Sequence, residues 1–333
     1  MNYSAVTMKE IAKRAKVSIN TVSRALSNRG EISAPTREKI LKIAKELNYI
    51  PNHLARGFRT AKTKILGVII TDNSDPSFAV VLRGIQNIAE ERGYHIILYN
   101  SDGQYQKEAQ AVKLLLGLRM MGLLINPTQA SVEDILELKE RGVPFVLLCR
   151  RIKNVITNYV ISDNEKGAYI ATSYMIKRGY RQVAFLNAFP NCSDAVERLR
   201  GYQKALVENG IKFNPRLVKW GCINSESGYR KMKDLLKEDK KVEGVFCFSD
   251  YIALGAIRAL EEEGFRIPED VGIVGYDDIE FTMYSRVPLT TVSASNHYLG
   301  EKAAQILIDI IEGKIGEPQQ VVIKPELVIR KSC

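Results

Sequence analysis

Between residues 7 and 47, cap residues and apolar positions follow one another so closely that the chain has room for three short helices and little else. Thr7-x-x-Glu10 is a capping box that starts a helix at Met8, with Ile11, Ala12 and Ala15 as its buried stripe. Lys16-Val17 makes a tight turn, and Ser18 caps a second helix whose inner face is Val22, Ala25 and Leu26. Ser33 caps a third, with Pro35 in its first turn and Ile40, Ile43, Ala44 and Leu47 buried at i, i+3, i+4 and i+7.

What the second helix leaves outside is informative. Ile19, Asn20, Thr21, Ser23 and Arg24 face outward near its N-terminus. A helix presented this way fits the DNA major groove, where Asn and Arg pair bidentately with adenine and guanine edges. Ser18 and Thr21 are placed for phosphate oxygens, and Thr7 and Asn28 are further candidate DNA contacts. Charge agrees: residues 1–62 hold 13 Lys and Arg against 4 Glu, whereas the rest of the chain is nearly balanced at 35 basic and 34 acidic side chains. Nearly all of the net +10 therefore sits in the first fifth of the chain, and a polyanion is the natural partner.

Residues 52–60 follow Pro51 and read as a further helix, one too short to hold in water alone and weakened by Gly57. The expectation is a hinge that DNA orders on binding, with Asn52, His53, Ala55 and Phe58 at the duplex.

Two stretches, Val17-Ser18-x-x-Thr21-Val22-Ser23-Arg24 and Leu47-Asn48-Tyr49-Ile50-Pro51-Asn52, are specific enough to carry a resemblance. The chain resembles the LacI/GalR family of transcriptional regulators over nearly its whole length. The resemblance implies that two hinge helices of a dimer lie side by side in the minor groove and wedge open the central base step. Phe58 stands at the wedge position, where the family carries leucine, so the wedge stays apolar but becomes flatter and larger. Bending is then expected at a flexible pyrimidine–purine step.

From Lys64 onward the pattern changes. Apolar runs at Ile65–Ile70, His95–Asn100, Gly122–Asn126, Pro144–Cys149, Gln182–Leu186, Val242–Phe248 and Val271–Tyr276 alternate with amphipathic stretches such as Phe78–Arg92. That alternation predicts parallel sheets flanked by helices, in two doubly wound subdomains. The resemblance implies an α/β core like that of periplasmic binding proteins, with a ligand cleft between halves that the chain crosses three times, near Ser162, Thr290 and Gln320. The expected domains are 1–50 (helix-turn-helix), 51–63 (hinge helix and linker), 64–162 with 291–320 (first subdomain), and 163–290 with 321–333 (second).

Ligands of such folds bind beyond the carboxyl ends of the strands. Polar residues expected there are Arg150, Ser249-Asp250 and Asp277-Asp278, with Arg198 on a helix that also carries Gly201-Tyr202. Asp250 also reads as a helix N-cap, and Asp278 as a turn carboxylate. A carboxylate and a guanidinium facing each other can grip vicinal hydroxyls, and Phe78 offers a flat face for a ring. The resemblance makes Arg198 and Asp277 effector contacts and places Ser77-Phe78 in the first-strand loop of the pocket. Ser249 stands where the family often has Asn, and Ile223 where it often has an aromatic.

Other classes are weakly supported. The chain lacks Gly-x-Gly-x-x-Gly, a phosphate-binding Gly-x-x-x-x-Gly-Lys-Ser/Thr and Gly-x-Ser-x-Gly. His53, His95 and His297 have no partner at metal-ligand spacing, so neither catalysis nor a metal or other cofactor is expected. Five scattered cysteines without Cys-x-x-Cys argue against a disulfide framework or zinc ribbon. With no signal-peptide pattern and no uncharged apolar run near the roughly 18 residues of a membrane span, a cytoplasmic location is expected. No heptad tail follows Leu327–Cys333, which favours a homodimer over a tetramer. The expected function is a repressor that binds a near-palindromic operator as a homodimer and is released by a small effector, a sugar above others. The alternative is a regulator activated by a protein or purine corepressor bound to the core.

Overall fold

A computed structural model describes residues 6–27, 30, 32–49, 63–239 and 241–333, and the chain divides into two compact units, residues 1–63 and 64–333. The first unit holds α1 (Met8–Ala15), α2 (Ile19–Leu26) and α3 (Ala34–Glu46). Its capping box forms as the sequence dictates: the Thr7 amide donates to Glu10 Oε2 at 2.6 Å, and the Glu10 amide donates to Thr7 Oγ1 at 3.4 Å. Lys16 closes α1 in the left-handed conformation, with φ 59°. Ile11, Val22 and Ile40 are fully buried, one from each helix, and alanines at 12, 15, 25 and 44 let the helices approach. Leu26 and Leu47 pack at the rim of this core, half-buried, because each lies at a helix end. Ser33 occupies the N-cap position of α3 without capping it. Its hydroxyl bonds that of Thr36 at 2.8 Å, and Pro35 removes one of the amides a cap would serve. The hinge expected over 51–63 lies, apart from Thr63, outside the described residues.

The second unit contains two six-stranded sheets. The first runs β2 (His95–Asn100), β1 (Ile65–Ile70), β3 (Gly122–Ile125), β4 (Phe145–Leu148), β5 (Tyr159–Ser162) and β11 (Gln320–Ile323), all parallel. The second runs β7 (Val218–Lys219), β6 (Val183–Leu186), β8 (Gly244–Cys247), β9 (Gly272–Tyr276), β10 (Thr290–Ser293) and β12 (Glu326–Val328), of which only β12 is antiparallel.

Strand composition follows from coverage on both faces. Leu66, Val68 and Ile70 of β1 pack beneath α4 (Pro76–Glu91) and α11 (Asn296–Ile311). Ile69 points the other way, toward α5 (Tyr105–Gly117) and α6 (Glu133–Glu140). The second sheet is clad likewise by α7 (Asn164–Lys177) with α8 (Ser193–Glu208), and by α9 (Ser225–Glu238) with α10 (Asp250–Glu262). The α7–α8 crossing depends on Gly201, where a Cβ would stand 2.0 Å from the Glu165 carbonyl oxygen. The α4–α11 crossing depends likewise on Gly300, 2.0 Å from the Val81 carbonyl oxygen.

The chain passes between the sheets three times. The first passage follows Ser162. The second and third fall a few residues beyond the expected positions, which corrects the boundaries drawn at Thr290 and Gln320. Residues 290–292 are still paired with β9, so that crossing lies between Ser293 and Asn296. Residues 320–323 are still paired with β5, so the last lies between Ile323 and Glu326. Among the described residues no helix is long and apolar enough to cross a membrane.

Candidate nucleic-acid interface and ligand cleft

In the first unit, Ser18 accepts the Thr21 amide at 3.1 Å, and the two hydroxyls pair at 2.9 Å. Both residues thus fix the start of α2. Ile19, Asn20 and Arg24 are exposed along one face of that helix, with Thr21 and Ser23 half-buried beside them. The Arg24 stem lies across Gly30, where a Cβ would sit 3.4 Å from Arg24 Cδ. The missing side chain leaves the guanidinium's stem a track to follow. Thr7 is engaged in its cap, and an ion pair of 3.5 Å between Arg14 and Glu46 ties α1 to α3. Asn28, Asn52, His53, Ala55 and Phe58 lie outside the described residues.

In the second unit, one cavity of about 600 Å3 opens between the two sheets. This is within the usual size of small-molecule sites. Ser77, Phe78, Arg150, Arg198, Ile223, Ser249 and Asp277 all line it. Each lies past the carboxyl end of a strand, or on the helix that follows one, for the reason doubly wound folds share: the strand ends leave a crevice where helices diverge.

Three of these side chains have distinct local settings. Arg198 is 6% exposed. Its Nε donates to Asn164 Oδ1 at 3.0 Å, its Nη1 donates to the Phe248 carbonyl, and its Cζ lies 3.5 Å from the Tyr276 ring centroid and 4.2 Å from the Phe248 ring centroid. The guanidinium is therefore rigid before any ligand meets it. Asp277 has φ 111°, a backbone strain of the kind that collects at functional sites. Burial pushes its carboxyl well above the ordinary value, with the Arg198 charge opposing. Arg150 is half spoken for: its Nε donates to Asp194 Oδ2 at 2.9 Å and its Nη1 to the Pro127 carbonyl at 3.0 Å.

Other residues lining the cleft carry no strong sequence signal, although the strand-end rule covers them. Asp75 caps α4 through the Ser77 amide at 2.9 Å, and burial raises its carboxyl. Asn126 bonds the Thr71 hydroxyl and the Leu148 carbonyl, both at 3.0 Å. Asn164 takes part in a relay from Arg198 to Glu197, which in turn accepts from Arg151 at 3.0 Å. The cleft thiols of Cys149, Cys192 and Cys222 are raised by burial to about 12, 11 and 12, so they stay protonated at neutral pH.

Two sequence readings need correction. Asp250 is not the N-cap of α10; Ser249 is, accepting the Ile252 amide at 3.2 Å. Asp250 instead buries its carboxylate against the Thr291 hydroxyl at 2.6 Å and the Ile279 amide at 2.8 Å, under Gly275, whose hydrogen leaves the space. Asp278 is no free turn carboxylate, since Arg330 pairs with it at 2.6 Å.

Residues 7–52 match the bacterial regulatory proteins of the lacI family, and residues 172–333 match the periplasmic binding protein-like domain. The repressor named HTH-type transcriptional repressor PurR of Aliivibrio fischeri is 31% identical, and that of Pasteurella multocida 34%, each alignment spanning 98% of both chains. The chain belongs to the LacI family of transcriptional regulators. Its fold matches the lac repressor dimer bound to operator and the anti-inducer ONPF, with TM-score 0.86 and 28% identity over 99% of both chains. It also matches a complex of the transcriptional regulator CelR with cellobiose, with TM-score 0.77 and 30% identity over 98% of this chain and 100% of that one. This LacI-family chain therefore pairs a DNA-binding helix-turn-helix with a periplasmic-binding-protein-like core, and its relatives are repressors rather than enzymes.

Proposed function

We propose that this regulator represses transcription as a homodimer on a near-palindromic operator and releases it when a small sugar occupies the cleft. The observation that carries the sugar reading is the juxtaposition of Asp277 with the immobilised Arg198 in a cavity of disaccharide size, with the half-buried Phe78 ring beside it. A carboxyl group and a guanidinium held within one cleft suit vicinal hydroxyls, and an aromatic face suits a sugar ring. The cellobiose bound by the similar CelR points the same way.

Support for the dimer comes from an apolar turn at Glu280–Tyr284, where Phe281, Met283 and Tyr284 are exposed together. Such a patch invites burial. The similar lac repressor is itself a dimer on operator. In each protomer, Asn20 and Arg24 of α2 read base edges, while Ser18 and Thr21 meet phosphate. Ligand and operator are then coupled by a free energy that acts equally in both directions.

The similarity to repressors named PurR favours a second reading, a purine acting as corepressor. One experiment separates them: a thermal-shift screen of mono- and disaccharides and nucleobases, with each stabilising compound then added to operator-bound protein. A sugar that stabilises the protein and loosens the operator supports the first reading. A purine that stabilises it and tightens the operator replaces it with the second.

A further inference from the structure

Glu108 of α5 and Asp134 of α6 form a buried acidic pair that the cleft chemistry does not use; they are 0% and 4% exposed. Glu108 Oε2 accepts the Thr128 amide at 2.7 Å, while Glu108 Oε1 and both Asp134 carboxyl oxygens are buried without a well-placed donor. Ionised carboxylates only accept hydrogen bonds, so two of them facing each other in a dry site need a proton between them. Burial, reinforced by the Asp134 charge, pushes Glu108 up to about 8, and burial also raises Asp134.

No cation relieves the pair among the described residues. From α6, Glu133 adds a further negative charge on Asp134, and Glu137 is paired with Arg141. Lys139 and Glu140 of α6 are exposed, as is Lys113 of α5, while Lys107 of α5 is turned to Asp102 and the Tyr105 hydroxyl to Glu133. β1 and β3 carry no titratable side chain, and β2 brings only His95 and Tyr99.

The pair matters because of what Thr128 belongs to. Residues 126–130 form the lip that the first subdomain offers to the second. The Thr128 carbonyl accepts from Asn191 at 3.3 Å and Gln129 Oε1 accepts the Ser193 amide at 2.8 Å, both across the cleft, while the Pro127 carbonyl accepts from Arg150 of its own subdomain at 3.0 Å. The lip is thus fastened across the cleft on one side and to the acidic pair on the other.

We propose that Glu108 and Asp134 share one proton that holds the cleft's lip in place, and that its loss to water frees residues 126–130 and weakens ligand binding. This rests on the cleft being the ligand site, but its test needs no ligand. Infrared difference spectra of the full chain should show one buried carboxylic acid deprotonating between about pH 6 and 10, a band missing in Glu108→Gln. Amide hydrogen exchange at residues 126 and 128–130, corrected for base catalysis, should rise about tenfold over that range in the wild type and stay flat in Glu108→Gln, whose amide copies the neutral form. Asp134→Asn should be equally flat and serves if the first variant does not fold. A spectrum without a carboxylic acid at the lower pH, or variants that loosen as the wild type does, overturns the proposal. Failure of every sugar and purine to bind refutes the cleft reading instead, and leaves these two signals unchanged.

Discussion

Replacing Arg198 with Lys keeps the charge in the cleft and removes its shape. The guanidinium makes two hydrogen bonds, to Asn164 and to the Phe248 carbonyl, and its Cζ lies 3.5 Å from the Tyr276 ring centroid and 4.2 Å from that of Phe248. A lysine ammonium on a flexible stem keeps one of those bonds and loses the planar stacking. A hydrogen bond to a charged group contributes about 1.5–3 kcal/mol and a desolvated cation–π contact about 2, part of which the ammonium recovers. Those contacts lie within the protein, so their loss reaches the ligand as lost preorganisation of the guanidinium; if it does so at about 2 kcal/mol, Kd weakens roughly thirtyfold. Titration calorimetry with the stabilising sugar should show that loss. Operator affinity without sugar, measured by fluorescence anisotropy, should stay within about twofold, because the substitution does not touch the DNA-reading unit. If Arg198→Lys binds the sugar within about threefold of the wild type, Arg198 only packs, and the ligand site has been assigned to the wrong residues.

Three further predictions test separate parts of the structure. Arg24→Ala should cost about 1–3 kcal/mol on a specific operator and much less on random duplex, measured by anisotropy; equal losses would mean that Arg24 meets only phosphate. Burial raises the Asp250 carboxyl to about 7, so the native state binds a proton more tightly than the unfolded chain does. Stability should therefore fall as pH rises from about 4 to 7, and Asp250→Asn should lower that slope in urea melts at several pH values; an unchanged slope contradicts it. Gly201→Ala puts a methyl 2.0 Å from the Glu165 carbonyl oxygen and should cost about 1–3 kcal/mol by forcing α8 off α7. Because α8 also carries Arg198, Tm and sugar affinity should drop together, and a variant normal in both would show that the crossing is not as tight as described.

Much of this architecture was legible because local signals agreed with the global fold. Thr7, Ser18 and Lys16 fix helix starts and stops through their own backbones, so the three-helix unit could be read with no long-range information. The long apolar strands were equally clear, since coverage on both faces demands uninterrupted Val, Ile and Leu. The strands without a signal in the sequence are β5, β7, β10, β11 and β12, of two to four residues each. Thr290-Thr291 and Gln320 look like loop residues, and only pairing with distant partners makes them strands, which is also why two crossings lie later than the sequence suggests. In the cleft, residues directly past long strands could be named in advance. Asn164 could not, because its position after β5 depends on a strand too short to see. The Glu108–Asp134 contact joins two helices through side chains alone, and no spacing rule reports it.

The decisive measurement is a titration of the full chain against a labelled near-palindromic duplex and a scrambled one at physiological salt, with and without the stabilising ligand. Preference for the palindrome by about a thousandfold or more, and a shift of that affinity by the ligand, is the predicted result. Equal binding to both duplexes, unmoved by every sugar and purine tested, would contradict it.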